Sequence, residues 1–185
     1  TTMKAKPKER LVAKALELFC QHGFHATGID TILSQSKVAK TTLYRHFRSK
    51  DELILAALRK RDEDFRNWLM QTIDRANVQP VDKLLMVFDI HKQWAEQPDF
   101  NGCAFVKASA EFSAADSPIH RFCVEHKRLV THYIQNLAEA SQAHEPANLA
   151  EQLMLLLDGA TVTAQMTRQP SAFSQAKNSA RTLLG

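Results

Sequence analysis

Apolar residues recur every three or four positions along most of the chain, which is the spacing of helices that bury one face. The first such stretch follows Pro7, takes in Leu11, Ala15 and Leu18, and stops at Gly23. Glycine occurs only five times in 185 residues, and no run alternates Val, Ile or Thr with polar residues as a half-buried strand does. The pattern predicts an all-α chain of about nine helices.

Prolines mark where several of these helices begin. Pro80, Pro118 and Pro146 each precede an apolar stretch with helical spacing. A proline is typical of the first turn, because the N–H group that it lacks would have no partner there. Ser117, directly before Pro118, is placed as an N-cap. Pro170 then separates off a last helix.

The first third of the chain predicts two short helices joined by a tight turn and followed by a long helix. Thr27 and Asp30 resemble a capping box for the first short helix. The second spans about residues 38–46. Ser49 and Glu52 form an S-x-x-E capping box that starts the long helix. This order is typical of a helix-turn-helix, which places its second helix in the DNA major groove.

Positive charge is concentrated in the same part of the chain. Residues 1–66 contain 14 Lys and Arg against 8 Asp and Glu, whereas residues 67–185 contain 10 against 12. A basic front and a mildly acidic back indicate that only the front meets a polyanion. The alternative is a solvated basic tail around Lys4, Lys6 and Lys8.

The predicted third helix carries an anchoring set and a polar set of side chains. Val38, Leu43 and Phe47 are spaced to hold the helix against the two helices before it. Arg45 can bond the O6 and N7 edge of guanine, and threonine side chains can contact a phosphate or a thymine methyl group. Lys50 lies in the first turn of the fourth helix, where unpaired N–H groups already favour a phosphate.

Residues 38–47 read VAKTTLYRHF and residues 49–53 read SKDEL. Together with Ile29 and Ile32 they resemble the TetR/AcrR family of transcriptional regulators, over about residues 7–60. The resemblance implies that the second and third helices form a helix-turn-helix whose polar side chains face double-stranded DNA.

One position departs from the family pattern. The family usually has glycine before Val38, where this chain has Lys37, and a non-glycine residue in the left-handed region costs about 1 kcal/mol. Lys37 can also reach a phosphate. The residues predicted to contact DNA are Thr27, Lys37, Lys40, Thr41, Thr42, Tyr44, Arg45, His46 and Lys50.

For the rest of the chain the resemblance implies a helical domain that binds an effector and dimerises. The predicted domains are therefore residues 1–50, continuing into a helix over 50–71, and residues 51–185. Aromatic and sulfur-containing residues at helical spacing are either effector contacts or plain core. The predicted effector contacts are Phe88, His91, Trp94, Cys103, Phe105, Phe112, Phe122 and Met154.

A very apolar stretch near the C-terminus predicts either an interface between two copies of the chain or a helix buried in its own monomer. The resemblance favours pairing across a two-fold axis. The residues predicted at this interface are Leu153, Leu156, Leu157, Ala160 and Ala164.

Two sensing chemistries stay open as alternatives. His120, Cys123 and His126 share about a third of one helix's circumference and could form part of a metal site, although the two histidines diverge around the helix. Cys103 could react with an oxidant or electrophile if Lys107, one turn away, stabilises its thiolate. Otherwise the three cysteines are expected to be reduced thiols.

The sequence thus predicts a homodimeric regulator, most simply a repressor that releases a quasi-palindromic operator when a small apolar effector binds. No cofactor is expected, and neither a membrane span nor a secretory signal, so a cytoplasmic protein is expected. A small helical enzyme or a protein-binding adaptor are the rivals. No glycine-rich phosphate loop, HExxH motif or nucleophile–base pair at interpretable spacing supports an enzyme.

Overall fold

The computed structural model describes residues 5–185, and within that range the chain forms helices and no strand. The prediction of an all-α chain with nine helices is confirmed. The helices are α1 (Pro7–His22), α2 (Ile29–Ser36), α3 (Lys40–His46), α4 (Lys50–Asp74), α5 (Pro80–Ala95), α6 (Ala104–Glu111), α7 (Pro118–Ala140), α8 (Pro146–Thr167) and α9 (Ser171–Leu184).

Prolines begin four of these helices, as the sequence predicts. They are Pro7 in α1, Pro80 in α5, Pro118 in α7 and Pro146 in α8. At the start of α7 the Ser117 hydroxyl also accepts the His120 N–H at 3.4 Å, as expected of an N-cap.

Two local predictions need correction. The cap of α2 is Gly28, which offers no side-chain bond, so Thr27 and Asp30 do not form a capping box. Helix α3 begins at Lys40, two residues later than predicted, because Ala39 still has an extended backbone with φ −70° and ψ 145°.

The described residues fall into two compact units, and α4 and α7 contribute to both. The first unit contains residues 5–65 together with Ala104–Glu125. Most of its fully buried residues come from α1, α2, α3 and the first half of α4, and they include Leu11, Phe19, Ile32, Leu43 and Leu58. Burying a side chain of this size contributes about 1.5–3 kcal/mol. The domain limits predicted from the sequence stay a prediction.

The second unit contains Arg66–Cys103 and His126–Gly185. Its core joins α5, α8 and α9 to the second halves of α4 and α7 through buried residues that include Leu84, Phe88, Ile134, Leu157 and Phe173. Within this unit Lys177 Nζ lies 2.6 Å from Asp89 Oδ2, and Tyr133 donates a hydrogen bond of 2.9 Å to Asp74.

The basic start of the chain is partly helical. Lys4 lies outside the described residues. The Lys6 N–H donates to the Glu9 carboxylate at 3.0 Å, which closes the first turn of α1, and Lys8 Nζ lies 5.8 Å from the centre of the Phe47 ring. Among residues 5–185, no helix combines the length and the apolar character needed to cross a membrane.

Candidate nucleic-acid interface and effector region

The turn between α2 and α3 keeps the left-handed backbone that the family pattern assigns to glycine. Lys37 has φ 55° and ψ 40°, and its side chain is exposed. The guanidinium of Arg10, on α1, lies 3.5 Å from the Lys37 carbonyl oxygen. The unexpected lysine therefore leaves the turn type unchanged and adds an exposed cation to it.

Three apolar residues anchor α3 in the first unit. Val38 is 6% exposed, Leu43 0% and Phe47 5%. Only Leu43 lies inside the helix, since Val38 precedes it and Phe47 is its C-cap. The predicted anchoring set is confirmed by this burial.

The opposite side of α3 is exposed and carries cationic, hydroxyl and aromatic groups. Tyr44 is 50% exposed, and Thr42 is half-buried. Lys40 Nζ lies 4.0 Å from Asp30 Oδ1, and both side chains are well exposed. The exposed residues of this surface, here called the α3 surface, are Lys37, Lys40, Thr41, Tyr44, Arg45 and His46.

The start of α4 is capped and brings a further cation to the same unit. The Ser49 hydroxyl accepts the Glu52 N–H at 3.2 Å, and the Glu52 carboxylate accepts the Arg48 N–H at 2.8 Å. The predicted capping pair is thus present, with the return bond one residue earlier than in the standard box. Lys50 Nζ donates to the His25 carbonyl oxygen at 3.3 Å, which ties its side chain to the segment after α1.

Thr27 is the predicted DNA contact that this geometry does not support. It is 3% exposed, and its hydroxyl lies 2.6 Å from the Gly23 carbonyl oxygen and 3.3 Å from that of Leu18. A side chain buried in this way holds the end of α1 and has no group to offer to DNA.

Sequence reasoning missed Arg48 and Glu111. Arg48 is exposed between α3 and α4, and its place beside the Ser49 cap was a usable signal. Glu111 bonds the backbone of Phe24 and His25, which lie 87 and 86 residues away in the chain. No local pattern predicts a contact across that separation.

The predicted effector contacts divide between the two units. Phe105, Phe112 and Phe122 belong to the first unit, where the Phe105 and Phe122 ring centres are 6.3 Å apart. The others belong to the second unit. Of these, Phe88 is 1% and Met154 7% exposed, whereas Trp94 and Cys103 are half-buried.

In the second unit His91 and Trp94 belong to an aromatic cluster with two residues that were not predicted. The His91 ring centre lies 6.3 Å from Trp94 and 6.0 Å from Phe173. Trp94 also meets Phe100 edge to face at 4.8 Å. The buried imidazole of His91 thus lies next to the apolar rings of Trp94 and Phe173.

His91 is neutral at physiological pH. Burial, helped by the positive charge of Lys127, lowers its pKa to about 4, although the Val87 carbonyl and Asp158 oppose the shift. His91 Nδ1 lies 2.7 Å from the Val87 carbonyl oxygen. A neutral imidazole among aromatic rings suits an uncharged molecule better than an anion.

No group of three or more His, Cys, Asp or Glu side chains within residues 5–185 is arranged to hold a metal ion. Cys20 and Cys123 are buried thiols and Cys103 is a half-exposed one. The Lys107 ammonium donates to the Cys20 carbonyl oxygen at 2.9 Å.

The interface predicted on α8 needs correction. Leu153, Leu157 and Ala164 are each 1% exposed and Ala160 is 6% exposed, so these four residues form part of the monomer's own core. Leu156 is half-buried. The exposed apolar residues of α8 are instead Leu155 at 72%, Val162 at 41% and Met166 at 78%.

An all-helical chain with an anchored, exposed cationic helix behind a tight turn is a DNA-binding protein of the helix-turn-helix class. Residues 11–57 match the family described as bacterial regulatory proteins, tetR family. Residues 80–180, more than half of the chain, match the tetracyclin repressor-like C-terminal domain. The chain belongs to the TetR family and is a transcriptional regulator.

Known relatives are similar over nearly the whole chain. The crystal structure of a TetR-family transcriptional regulator from Streptomyces coelicolor superposes with a TM-score of 0.89 at 27% identity, covering 96% of this chain and 94% of that one. The HTH-type transcriptional repressor NemR of Escherichia coli is 25% identical over 169 residues, which are 87% of this chain and 85% of NemR.

Two further comparisons differ in how much of each chain they cover. The structure of E. coli NemR in its reduced form has a TM-score of 0.86 at 24% identity, covering 95% of each chain. The HTH-type transcriptional activator FasR of Mycolicibacterium smegmatis is 38% identical over 64 residues, which are 35% of this chain and 29% of FasR. The similarity to FasR is therefore confined to a minor part of that protein.

Proposed function

We propose that the chain is a homodimeric repressor that leaves its operator when a small apolar effector binds. The observation that carries the proposal is the α3 surface, where an anchored helix exposes Lys40, Tyr44 and Arg45 while Leu43 is fully buried. The relatives differ in the sign of regulation, since NemR is a repressor and FasR an activator. Repression by this chain is therefore proposed and does not follow from the family alone.

On DNA, Arg45 reads a base and Lys50 holds a phosphate. Exposed on α3, Arg45 has the paired donors that fit the O6 and N7 edge of guanine. Lys50 is in the first turn of a capped helix, where a phosphate is favoured. The other residues of the α3 surface, together with Thr42 and Arg48, contact the DNA backbone or thymine methyl groups.

The test is fluorescence anisotropy with a duplex selected by the wild-type protein from a random pool. Arg45→Ala is expected to change the preferred sequence at one position, at a cost of about 1–3 kcal/mol. Lys50→Ala is expected to weaken binding to all duplexes and to flatten its salt dependence. Lys60→Ala, which removes a cation paired with Asp64 on α4, is the matched control. If Arg45→Ala and Lys50→Ala both behave like the control, α3 is not the recognition helix.

Two copies of the chain pair through α8 and α9. Leu155, Gly159, Val162 and Met166 follow one another on α8 at spacings of four, three and four, which makes a single exposed stripe. Beside it lies an open groove of about 530 Å³, lined by Leu155, Leu156 and Leu183 with three polar residues. An exposed apolar stripe of this kind marks an interaction surface.

In such a dimer two α3 helices would enter successive major grooves, ~34–36 Å apart, on a quasi-palindromic operator. Leu155→Glu is expected to shift the protein from dimer to monomer in sedimentation velocity. Val124→Glu changes another exposed apolar residue, 57% exposed on α7, and serves as the control. A dimer that survives Leu155→Glu and dissociates with Val124→Glu would place the interface elsewhere.

The effector contacts the aromatic cluster of the second unit, and His91 and Trp94 are its central residues. The rings of Trp94 and Phe173 lie next to His91 and the imidazole is neutral, so the ligand would be an uncharged molecule with a hydrogen-bonding group. A coupling free energy of 1–3 kcal/mol would weaken operator binding by ~5–150-fold. Native mass spectrometry of the purified protein identifies co-purified ligands, and His91→Phe is expected to abolish their effect on operator binding.

A second candidate is regulation through the Cys103 thiol. Cys103 is half-exposed, whereas Cys20 and Cys123 are buried, and NemR has a structure described as its reduced form. Brief treatment with hydrogen peroxide or an alkylating reagent is expected to modify Cys103 first, as peptide mass spectrometry would show. If Cys103→Ser still loses operator binding on treatment, as the wild type would, this candidate is wrong.

A further inference from the structure

Two charged side chains of α6 hold the end of α1 and the segment that follows it. Lys107 and Glu111 lie one turn apart on α6, and both belong to the first unit. The Lys107 ammonium donates to the carbonyl oxygen of Cys20, in the last turn of α1, at 2.9 Å. The Glu111 carboxylate accepts the backbone N–H groups of Phe24 at 2.9 Å and of His25 at 2.7 Å. We call this pair of side chains the α6 clamp.

Each charge of the α6 clamp contacts a backbone group of opposite partial charge. The last carbonyl groups of a helix lack partners and carry partial negative charge, so an ammonium ion stabilises them. The N–H groups beyond the helix end are donors, and Glu111 takes two of them with its two oxygens. Partial burial opposes ionisation of Glu111, but the hydrogen bonds from His25 and Phe24 outweigh it and lower the pKa of this carboxyl group. Glu111 therefore accepts these bonds as a carboxylate.

The segment is shaped to receive the carboxylate. Gly23 has φ 92°, and a Cβ atom there would lie 2.9 Å from Glu111 Oε1. The positive φ is what favours glycine here, and a side chain at this position would also displace the Glu111 carboxylate. Phe24 is fully buried, while the His25 ring stacks on Phe112 with centres 4.6 Å apart and places Nδ1 2.8 Å from Glu111 Oε2.

The same segment holds a cation of the proposed DNA interface. The carbonyl oxygen of His25 accepts a hydrogen bond of 3.3 Å from Lys50 Nζ, at the start of α4. Thr27, two residues further on, closes the turn by bonding the Gly23 carbonyl oxygen at 2.6 Å. A chain of contacts therefore runs from Glu111 through His25 to Lys50.

We propose that the α6 clamp positions the DNA-binding helices, and that Glu111 is a positioning residue for operator binding that acts through His25 on Lys50. The inference rests on the DNA-binding function proposed above. In the wild type, Glu111 orders the segment around His25, and with it the Lys50 side chain, before DNA binds. Without Glu111, both must become ordered during binding. That ordering cost lowers operator affinity, although Glu111 itself touches no DNA.

The experiment compares Glu111→Ala and Glu111→Gln with Glu63→Gln, which neutralises an exposed carboxylate on α4 in the same unit. The probe is the duplex selected by the wild-type protein, and binding is measured by anisotropy. Glu111→Ala is expected to weaken binding about 10-fold and Glu111→Gln by less, because the amide keeps one acceptor oxygen. Glu63→Gln is expected to stay within about 2-fold.

A double-mutant cycle with Lys50→Ala separates positioning from a general loss of stability. If Glu111 acts through Lys50, Glu111→Ala costs much less affinity in the Lys50→Ala background than in the wild type. Faster amide hydrogen exchange at Phe24 and His25 in Glu111→Gln is the matching readout without DNA, and it carries the test if Glu111→Ala does not fold.

The outcomes distinguish the two proposals. Wild-type protein that binds DNA while the Glu111 variants match Glu63→Gln in affinity would overturn the α6 clamp alone. Effects of Glu111→Ala and Lys50→Ala that simply add would overturn the path through Lys50. A wild-type protein without salt-dependent duplex binding would overturn the proposed function, and the positioning role with it.

Discussion

Helices α3 and α8 each have one face towards the interior and another towards solvent. They differ in how well the sequence alone identifies the buried face. The apolar residues associated with α3, namely Val38, Leu43 and Phe47, are all buried. In α8 apolar residues occur around most of the helix. Leu155 is 72% exposed, while Leu157, two positions on, is 1% exposed. Helical spacing identifies a buried face only where the other face is polar.

The two units also differ in whether their ionisable groups of interest are exposed or buried. In the first unit the ionisable groups of interest, such as Lys40 and Arg45, are on the outside. In the second unit His91 is buried within an aromatic cluster and stays neutral. An exposed polar helix favours binding of a charged macromolecule, whereas a buried neutral imidazole favours binding of a small uncharged molecule. This contrast is what separates the proposed operator contacts from the proposed effector contacts.

The largest expected effect tests the two faces of α8. Leu157→Ala removes a fully buried side chain and is expected to lower the free energy of unfolding by about 2–5 kcal/mol. Leu155→Ala, on the exposed face of the same helix, is expected to change the stability of the monomer by no more than about 0.5 kcal/mol. Urea unfolding at a concentration where the protein is monomeric measures both. Equal losses would show that the exposed stripe of α8 is covered within the monomer.

Sequence reasoning succeeded where a local rule decides the structure. Proline at a first helical position fixed the starts of α1, α5, α7 and α8, and the Ser49 cap marked the start of α4. It failed where distant residues decide. Thr27 and Asp30 matched a capping pattern, but the Thr27 hydroxyl bonds the Gly23 carbonyl oxygen. Glu111 gave no sign of its partners, since the contact forms only when α6 meets the end of α1.

A second prediction concerns the buried chemistry of the second unit. The pKa of His91 is about 4 in the folded protein, against about 6.5 in an unfolded chain. Between these values the unfolded chain binds the additional proton, so the free energy of unfolding falls as the pH decreases from about 6.5 to 4. The loss from this residue is about 3 kcal/mol.

Urea unfolding at a series of pH values checks this, with His91→Gln and His132→Gln as paired variants. His132 lies exposed on α7, so its removal should leave the slope of stability against pH in this window almost unchanged. His91→Gln should flatten that slope, whatever the carboxyl groups contribute to both proteins. A wild-type slope retained in His91→Gln would mean that His91 accepts its proton in the folded state.

The smallest effect compares the ends of α2 and α8, since both helices end in a non-glycine residue with left-handed backbone. Lys37 has φ 55° and Arg168 has φ 58°. Glycine relieves the steric cost of that conformation but gains freedom in the unfolded chain, so Lys37→Gly and Arg168→Gly are each expected to raise the free energy of unfolding by about 1 kcal/mol or less. Only Lys37→Gly is expected to alter DNA binding, with a weaker salt dependence because one proposed phosphate contact is lost. Thermal unfolding and anisotropy titrations on the two variants test this. Lower stability in Lys37→Gly alone would mean that its side chain contributes more to the turn than its backbone conformation costs.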